Sequence, residues 1–594
     1  MKNDKMFLLR VGSVKLDPES VYDRKIRIIE SGLMKKLDFR ALTDFYREKR
    51  NQFAAGEFFG KIIRAACVLF AYTGNEELYT KIKTAVYDLI GVQGEDGEIS
   101  TAPKNEQPNG SSGADLWERK YVMLGLLEYY GISNDENAKT ALVKLLDYTI
   151  SQVGAENGKT DILDTGWAFY GIESSSILEP VVKIYRISGE KRHLDFASYI
   201  VDRGFCKREN VIDAVLSGKS PFMIGDNGEP RESIAKAYEM MSCFEGLIEY
   251  YRITEKEKYK TAALKLYEKL VSEEITELGS GGADRPYNLG PGTGEQWNRT
   301  KYEQANPDIE LMMETCVTVT WMKLCLQLLR LYGDSRFADK IEVSAVNALC
   351  AALRPDGMFY EYFPKFNGKR NPKVNFSYKV GGFDLSCCTA NGPMGAALVP
   401  FTAFMRTEKF PVINMYVNGS ASFGNMTVKT KTEFPQKSGV TVLIKNVKES
   451  TPILFRKAEY AYNFRFGSEC DITVTESAEY QGYYMIDGDF SHGAVIRIDF
   501  DVKDSIVVSD GSVNPEGNGK LLLKHGPVVL SRDKRYTDIT GRVKFSADPR
   551  LEFSTHGPGE LVKAEYCGYT WIDYQSAGAS WDEESDFITW NERA

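Results

Sequence analysis

Three cysteines and two glutamates make the most chemically specific pattern in the chain. Glu314-Thr-Cys316 opens a segment of helical periodicity that includes Trp321 and Cys325, and Cys387-Cys388 precedes Thr389-Ala-Asn-Gly392. Adjacent cysteines are uncommon by chance in a chain with only 10 of them. Three thiolates and one carboxylate would complete a tetrahedral Zn2+ site from Glu314, Cys316, Cys387 and Cys388. Residues two apart on a continuous helix lie about 200° apart, so Glu314 and Cys316 can meet one ion only at a first helical turn or in extended chain before it. Asn306-Pro307 just upstream favours such a late start. A turn over Thr389–Gly392 would aim both neighbouring sulfurs to one side. Two bland readings stand beside this one: a buried thiol cluster, and a closed structural zinc. The functional reading uses zinc to keep a cysteine deprotonated so that sulfur itself attacks.

Glu295, in Gly292-Thr-Gly-Glu-Gln-Trp297, is the second candidate group. A carboxylate after a glycine-rich loop and before an aromatic suits a pocket rim, and desolvation by Trp297 would raise its pKa toward that of a general acid. A solvated loop acid is the plain alternative. Other site types are excluded. The chain has 4 histidines, His193, His492, His525 and His556, and no His-Glu-x-x-His, which argues against a histidine-built metal site or triad. Gly218-Lys219-Ser220 lacks the first glycine of a phosphate loop, Asp213 standing in its place. Gly290-Pro-Gly-Thr-Gly294 reads as a loop.

These groups need a scaffold, and the first four hundred residues supply a weak repeat. An apolar run ends in tyrosine, then a polar turn, then an amphipathic segment, around Tyr72, Tyr130, Tyr185, Tyr251 and Tyr332. The spacings of 58, 55, 66 and 81 residues each hold two helices with loops. Each turn reads as a C′ residue with positive φ. Five hairpins, with a sixth assembled from Leu37–Arg50 and Ala396–Met405, predict an (α/α)6 barrel over residues 1–408. An open α-solenoid fits the same periodicity. Beyond residue 408, short β-branched and aromatic runs between Gly, Asn and Asp turns predict antiparallel β-sandwich structure. A first sandwich is expected over 409–505, with a second, or a continuation of the first, over 506–594.

In 594 residues, 43% are hydrophobic and 26% charged, so the chain reads as globular, in two to four domains. A net charge of −9 without a basic cluster argues against nucleic acid or an anionic membrane as partner. The N-terminal apolar run before Arg10 is too short for a signal peptide or a spanning helix, which places the protein in the cytoplasm. Cys67, Cys206, Cys243, Cys325 and Cys350 sit in apolar stretches and read as buried free thiols; Cys470 and Cys567 stand alone. A homodimer through the β region is compatible with the sequence, which does not demand one.

Taken together, Leu116-Trp-Glu-Arg-Lys-Tyr121, Ser176-Ile-Leu-Glu-Pro180, Gly294-Glu295, Glu314-Thr-Cys316, Cys387-Cys388 and Gly526-Pro-Val-Val529 resemble the β-L-arabinofuranosidase family, glycoside hydrolase family 127, and its near relatives. The resemblance runs from about Asp38 to Asp533. It implies a helical barrel followed by β-sandwiches, zinc on Glu314, Cys316, Cys387 and Cys388, and a small oligosaccharide or glycoside as substrate. It further implies a retaining exo-mechanism in which Cys387 is the nucleophile and Glu295 the acid/base. The sequence departs from the pattern where barrel histidines are expected to bind the sugar: Tyr121, the Ser174–Ser176 run and Lys236-Ala-Tyr238 stand there, and the Glu295-to-Glu314 interval is a few residues longer. Trp117, Lys120, Tyr121 and Tyr360 are the expected pocket lining, since sugar faces stack on aromatics and a lysine suits an acidic sugar. The lost histidines favour a different furanoside or a branched acidic sugar over β-L-arabinofuranose. Two further alternatives are a silent carbohydrate-binding protein with structural zinc, and a lyase or epimerase.

Overall fold

The computed structural model describes residues 3–110, 113–167, 170–225, 235–284, 294–370, 376–513, 515–546 and 548–594. All of the Gly290–Gly294 loop but its last residue lies outside them. Helices dominate up to Ala403 and strands follow.

The five tyrosine repeats are five helical hairpins. Numbered along the chain after α1 (Val21–Ile29), they are α2 (Glu57–Thr73) with α3 (Glu76–Ile90), and α4 (Asp115–Ser133) with α5 (Glu136–Gln152). Next come α6 (Leu178–Ser188) with α7 (Lys191–Asp202), α8 (Ala237–Thr254) with α9 (Glu257–Glu273), and α10 (Thr315–Tyr332) with α11 (Ser335–Ser344). The first helix of every pair ends on a residue with left-handed backbone: Gly74, Asn134, Gly189, Glu255 and Gly333, at φ of 66°, 53°, 71°, 56° and 63°. Each returns its N–H to a carbonyl four residues back, which satisfies one of the helix's orphan acceptors. The second helix then starts on a side-chain cap in three pairs, from Asn75, Asp135 and Asp334.

The sixth pair differs from expectation. Its inner member is α12 (Cys387–Ala403), and α1 packs against it. Leu37–Arg50 instead forms a 3-10 turn over Phe39–Leu42 and a single helical turn over Asp44–Arg47. The physical reason lies in α1, whose Val21, Tyr22, Ile26 and Ile29 form one buried stripe at helical spacing. Packing runs from α2 to α4, α6, α8, α10 and α12, and α12 closes back on α2.

Among the described residues the strands form three larger sheets and one ribbon. One sheet runs Phe7–Leu8, Phe404–Arg406, Pro411–Ile413, Ile453–Arg456, Tyr483–Gly488 and Ile472–Glu476, antiparallel except where Pro411–Ile413 meets Ile453–Arg456. A second, all antiparallel, runs Ala461–Ser468, Ala494–Val502, Val440–Lys445, Thr427–Lys431, Gly419–Ser422 and Val14–Leu16. The third begins at Asp504–Val508 and ends at Glu552–Phe553. Residues 7–16, expected with the helices, thus add a strand to each of two C-terminal sheets. Asn347 fastens the third sheet to the helices, donating to the Pro527 carbonyl at 2.9 Å and accepting from the Val529 N–H at 2.9 Å. The ribbon, Ser377–Val380 against Phe383–Ser386, runs directly into α12. Among the described residues, no helix is long and apolar enough to cross a membrane.

Candidate active site

Two helix N-termini meet at the cysteines. Glu314 is the extended residue before α10, at φ −120° and ψ 131°, and Cys316 lies in the first turn. This is the arrangement their spacing required. Cys387 and Cys388 open α12, where the Ser386 hydroxyl accepts the Thr389 N–H at 3.2 Å. Thr389–Gly392 is therefore helix and not the turn expected; the Ser386 cap orients the sulfurs in its stead. Both helix dipoles favour negative charge at this point.

The Glu314 carboxylate and the sulfurs of Cys316, Cys387 and Cys388 lie within 4.8 Å of one another. Cys388 Sγ is 3.7 Å from Glu314 Oε1, whereas Glu314 Oε2 is buried with no hydrogen-bond partner. An orphaned carboxylate oxygen beside three sulfurs is the donor set of a thiophilic dication, so these residues fit zinc. Burial and the Cys387 thiolate push Glu314 up to about 8, and burial pushes Cys316 and Cys388 up. Burial opposes ionisation of Cys387 too, but hydrogen bonds from Cys316 and Cys388 and the Lys61 ammonium pull it well below the usual thiol range.

Cys387 opens on a cavity of about 440 Å³ that Glu295, Lys236, Tyr362, Trp117, Tyr238, Glu57 and Lys61 also line. Tyr362 is the joint: its hydroxyl lies 3.0 Å from Cys387 Sγ and donates to Glu295 Oε1. Lys236 pairs with the other Glu295 oxygen. Glu295 holds a left-handed backbone, φ 64°, uncommon for a non-glycine residue. Trp297 is fully buried with its ring against the Gly281 backbone.

On the neighbouring helix α2, Lys61 is paired to Glu57 at 3.1 Å, and Glu57 also accepts the Trp117 indole N–H. The Lys61 ammonium lies 5.9, 4.9 and 5.2 Å from the ring centres of Trp117, Tyr121 and Tyr238. Lys120 lies against the same rings at 4.2, 5.0 and 5.6 Å. Its ammonium donates to Ser176 Oγ at 2.9 Å.

Of the four expected lining residues, the cavity wall includes Trp117. Tyr121 is set behind it, its hydroxyl 2.5 Å from that of Tyr238. Lys120 is drawn away to Ser176. Tyr360 fills a notch on α12, where a Cβ at Gly392 would come within 2.5 Å of its ring; two residues on, Tyr362 has the place expected of it. The sequence reading also missed Glu57 and Lys61. Their signal was a pair of charges inside the apolar run Glu57-Phe-Phe-Gly-Lys-Ile-Ile63, since buried charges are seldom unpaired. His193 is on α7, bonded to Ser188 and Asp147.

The comparisons agree with this geometry. Residues 26–399 match the family model for the β-L-arabinofuranosidase, GH127 catalytic domain. A non-reducing end β-L-arabinofuranosidase of Bifidobacterium longum subsp. longum is 20% identical over 410 residues, 63% of this chain. The match spans 59% of that relative's length. A solved GH127 β-arabinofuranosidase superposes with a TM-score of 0.78 at 16% identity, covering 100% of this chain and 99% of the other. A GH127 β-L-arabinofuranosidase from Geobacillus stearothermophilus T6 superposes at 0.73 and 15% identity, covering 98% of this chain and 100% of the other. Both share the helical N-terminal region and the antiparallel-rich C-terminal sheets. With a family model matched over more than half its length, this chain belongs to the GH127 β-L-arabinofuranosidase family of glycoside hydrolases.

Proposed function

We propose that the protein is a retaining exo-glycoside hydrolase in which Cys387 is the nucleophile and Glu295 the acid/base. The observation that carries this is the Tyr362 hydroxyl, which touches both groups. One bridging oxygen keeps sulfur and carboxylate within two hydrogen-bond lengths. That is the scale of the roughly 5–5.5 Å between the catalytic carboxyls of retaining glycosidases, and it leaves little room for the intervening water that inversion needs.

Glu314, Cys316, Cys387 and Cys388 would hold a zinc ion, whose charge would keep the sulfurs deprotonated. Cys387 Sγ attacks the anomeric carbon while Glu295 gives its proton to the departing oxygen, leaving a thioglycosyl link to Cys387. Glu295, now a carboxylate, takes a proton from water as that water attacks the same carbon and frees the sulfur. Tyr362 and Lys236 keep the Glu295 carboxyl group in place through both steps, protonated in the first and ionised in the second. We read the closed cycle of six hairpins as an (α/α)6 barrel, followed by β-sandwiches from about residue 409, with a change near 505. The substrate is a small glycoside met in the cytoplasm. Because the cavity is walled by Lys61, Lys236 and Tyr238, without histidine among its described lining, a furanoside other than β-L-arabinofuranoside, or an acidic sugar, is the second reading.

The test is a panel of aryl glycosides, β-L-arabinofuranoside included, offered under reducing conditions to wild type and Cys387→Ala. We expect release by wild type, lost in the variant, with the first-formed product retaining its anomeric configuration. Release by both proteins, or an inverted product, would overturn the proposal.

A further inference from the structure

We infer that Phe376 and Phe53 form the binding site for the sugar ring that departs. The inference rests on the proposed hydrolysis and adds the part of the substrate beyond the scissile bond. Two aromatic series run down the cavity from its mouth. On one side Phe376 packs on Tyr362, ring centres 5.6 Å apart, and Tyr362 touches both Cys387 and Glu295. On the other, Phe53 packs edge-on against Trp167 at 5.3 Å, and Trp167 against Trp117 at 5.5 Å.

The outer members of both series are open to solvent, Phe376 at 60% and Phe53 at 43%. Large aromatics exposed at a cavity mouth forgo hydrophobic burial, and both of these line the cavity beside backbone the chain does not adopt freely. Phe376 itself has φ 46°, and Ala54, next to Phe53, has φ 53°. Left-handed backbone costs such residues about 1–2 kcal/mol. The two sides are also tied together: the Tyr378 hydroxyl, on the ribbon leading to Cys387, donates to the Phe53 carbonyl at 2.6 Å.

The direction of the chemistry selects the occupant. Glu295 protonates the oxygen that leaves, so whatever that oxygen carries extends from Glu295 toward the mouth, where Phe376 lies beyond Tyr362. A ring's π face is electron-rich, and a furanose or pyranose presents C–H bonds to it. The ligand class is therefore a glycosyl leaving group with an apolar face.

The experiment compares kcat/KM for a disaccharide with that for the methyl glycoside of the same non-reducing sugar, in wild type, Phe376→Asn, Phe376→Tyr and Phe53→Ala. Asparagine tolerates left-handed backbone, so the first variant removes the ring without forcing the chain. The disaccharide-to-methyl ratio should fall roughly 3- to 10-fold in Phe376→Asn, fall less in Phe53→Ala, and return in Phe376→Tyr. A ratio equal to that of wild type in Phe376→Asn would overturn the inference while turnover of the methyl glycoside upholds the proposed function. No turnover of either substrate by wild type would overturn both.

Discussion

The two walls of the cavity handle buried charge in opposite ways. On the lysine wall, Lys61 and Glu57 neutralise each other, and three aromatic rings complete the ammonium's surroundings. On the sulfur wall, four groups that ionise to anions converge, one carboxylate oxygen has no partner, and burial pushes Glu314, Cys316 and Cys388 toward their protonated forms. The first cluster pairs its own charges and still has the Lys61 ammonium within reach of Cys387; the second needs either protons or an added cation. The difference teaches that neighbouring clusters in one cavity can differ in kind: one pairs its own charges, and the other offers a donor set that could hold an ion.

The largest break in this comparison is to deny the sulfur wall the cation proposed for it. Cys316→Ala, or exhaustive chelation, should lower metal content from one zinc per chain and cut turnover by roughly 10⁴-fold or more, the scale of losing a central catalytic group. Metal analysis beside kinetics checks it; full activity at zero zinc would refute the assignment. Breaking the other wall should cost stability. Lys61→Met strands the Glu57 carboxylate and should lower unfolding free energy by about 3 kcal/mol, and adding Glu57→Gln should recover most of that. Urea denaturation of the single and double variants measures it, and a loss that persists in the double variant would show that the pair is not self-compensating.

The smallest effect sharpens the point through Lys120, which shares the Lys61 rings but has Ser176 where Lys61 has a carboxylate. Burial, with Lys323 nearby, lowers Lys120 to about 7, while the Glu57 carboxylate overcomes the same burial and holds Lys61 well above the ordinary lysine value. The folded state then binds fewer protons than the unfolded state between pH about 7 and the ordinary lysine value. This contribution therefore makes stability rise with pH across that window. Lys120→Met abolishes the slope, so the Tm of the variant relative to wild type should be highest near pH 7 and decline by about 1–2 °C toward pH 9.5. A difference independent of pH would show that Lys120 keeps its charge.

What could be read from the chain alone divides along sequence distance. The ligand quartet was visible because each half is local, Glu314 with Cys316 and Cys387 with Cys388. Five hairpins were visible because each carries its own stop, in Gly74, Asn134, Gly189, Glu255 or Gly333. Tyr362 was passed over for Tyr360 because the choice depends on a notch at Gly392 in another element. The sixth hairpin was misassembled because α1 and α12 are joined by packing alone, across more than 350 residues.

The two short N-terminal strands carry a consequence for how the molecule is made. Val14 pairs with Ala421, and Phe7 with Arg406, so these two strands meet their sheet neighbours only after some 400 further residues exist. At a synthesis rate of about 5–20 residues per second, that segment waits roughly 20–80 s on the ribosome with its sheet positions unfilled. Closing such a distant contact is slow, and the edges at Gly419–Ser422 and Phe404–Arg406 stay open until it happens. Gly12 and Leu16 can meet Ala71 and Tyr72 of the first hairpin early, so the two strand pairings are the late step, a latch that closes on a segment already held to the helices.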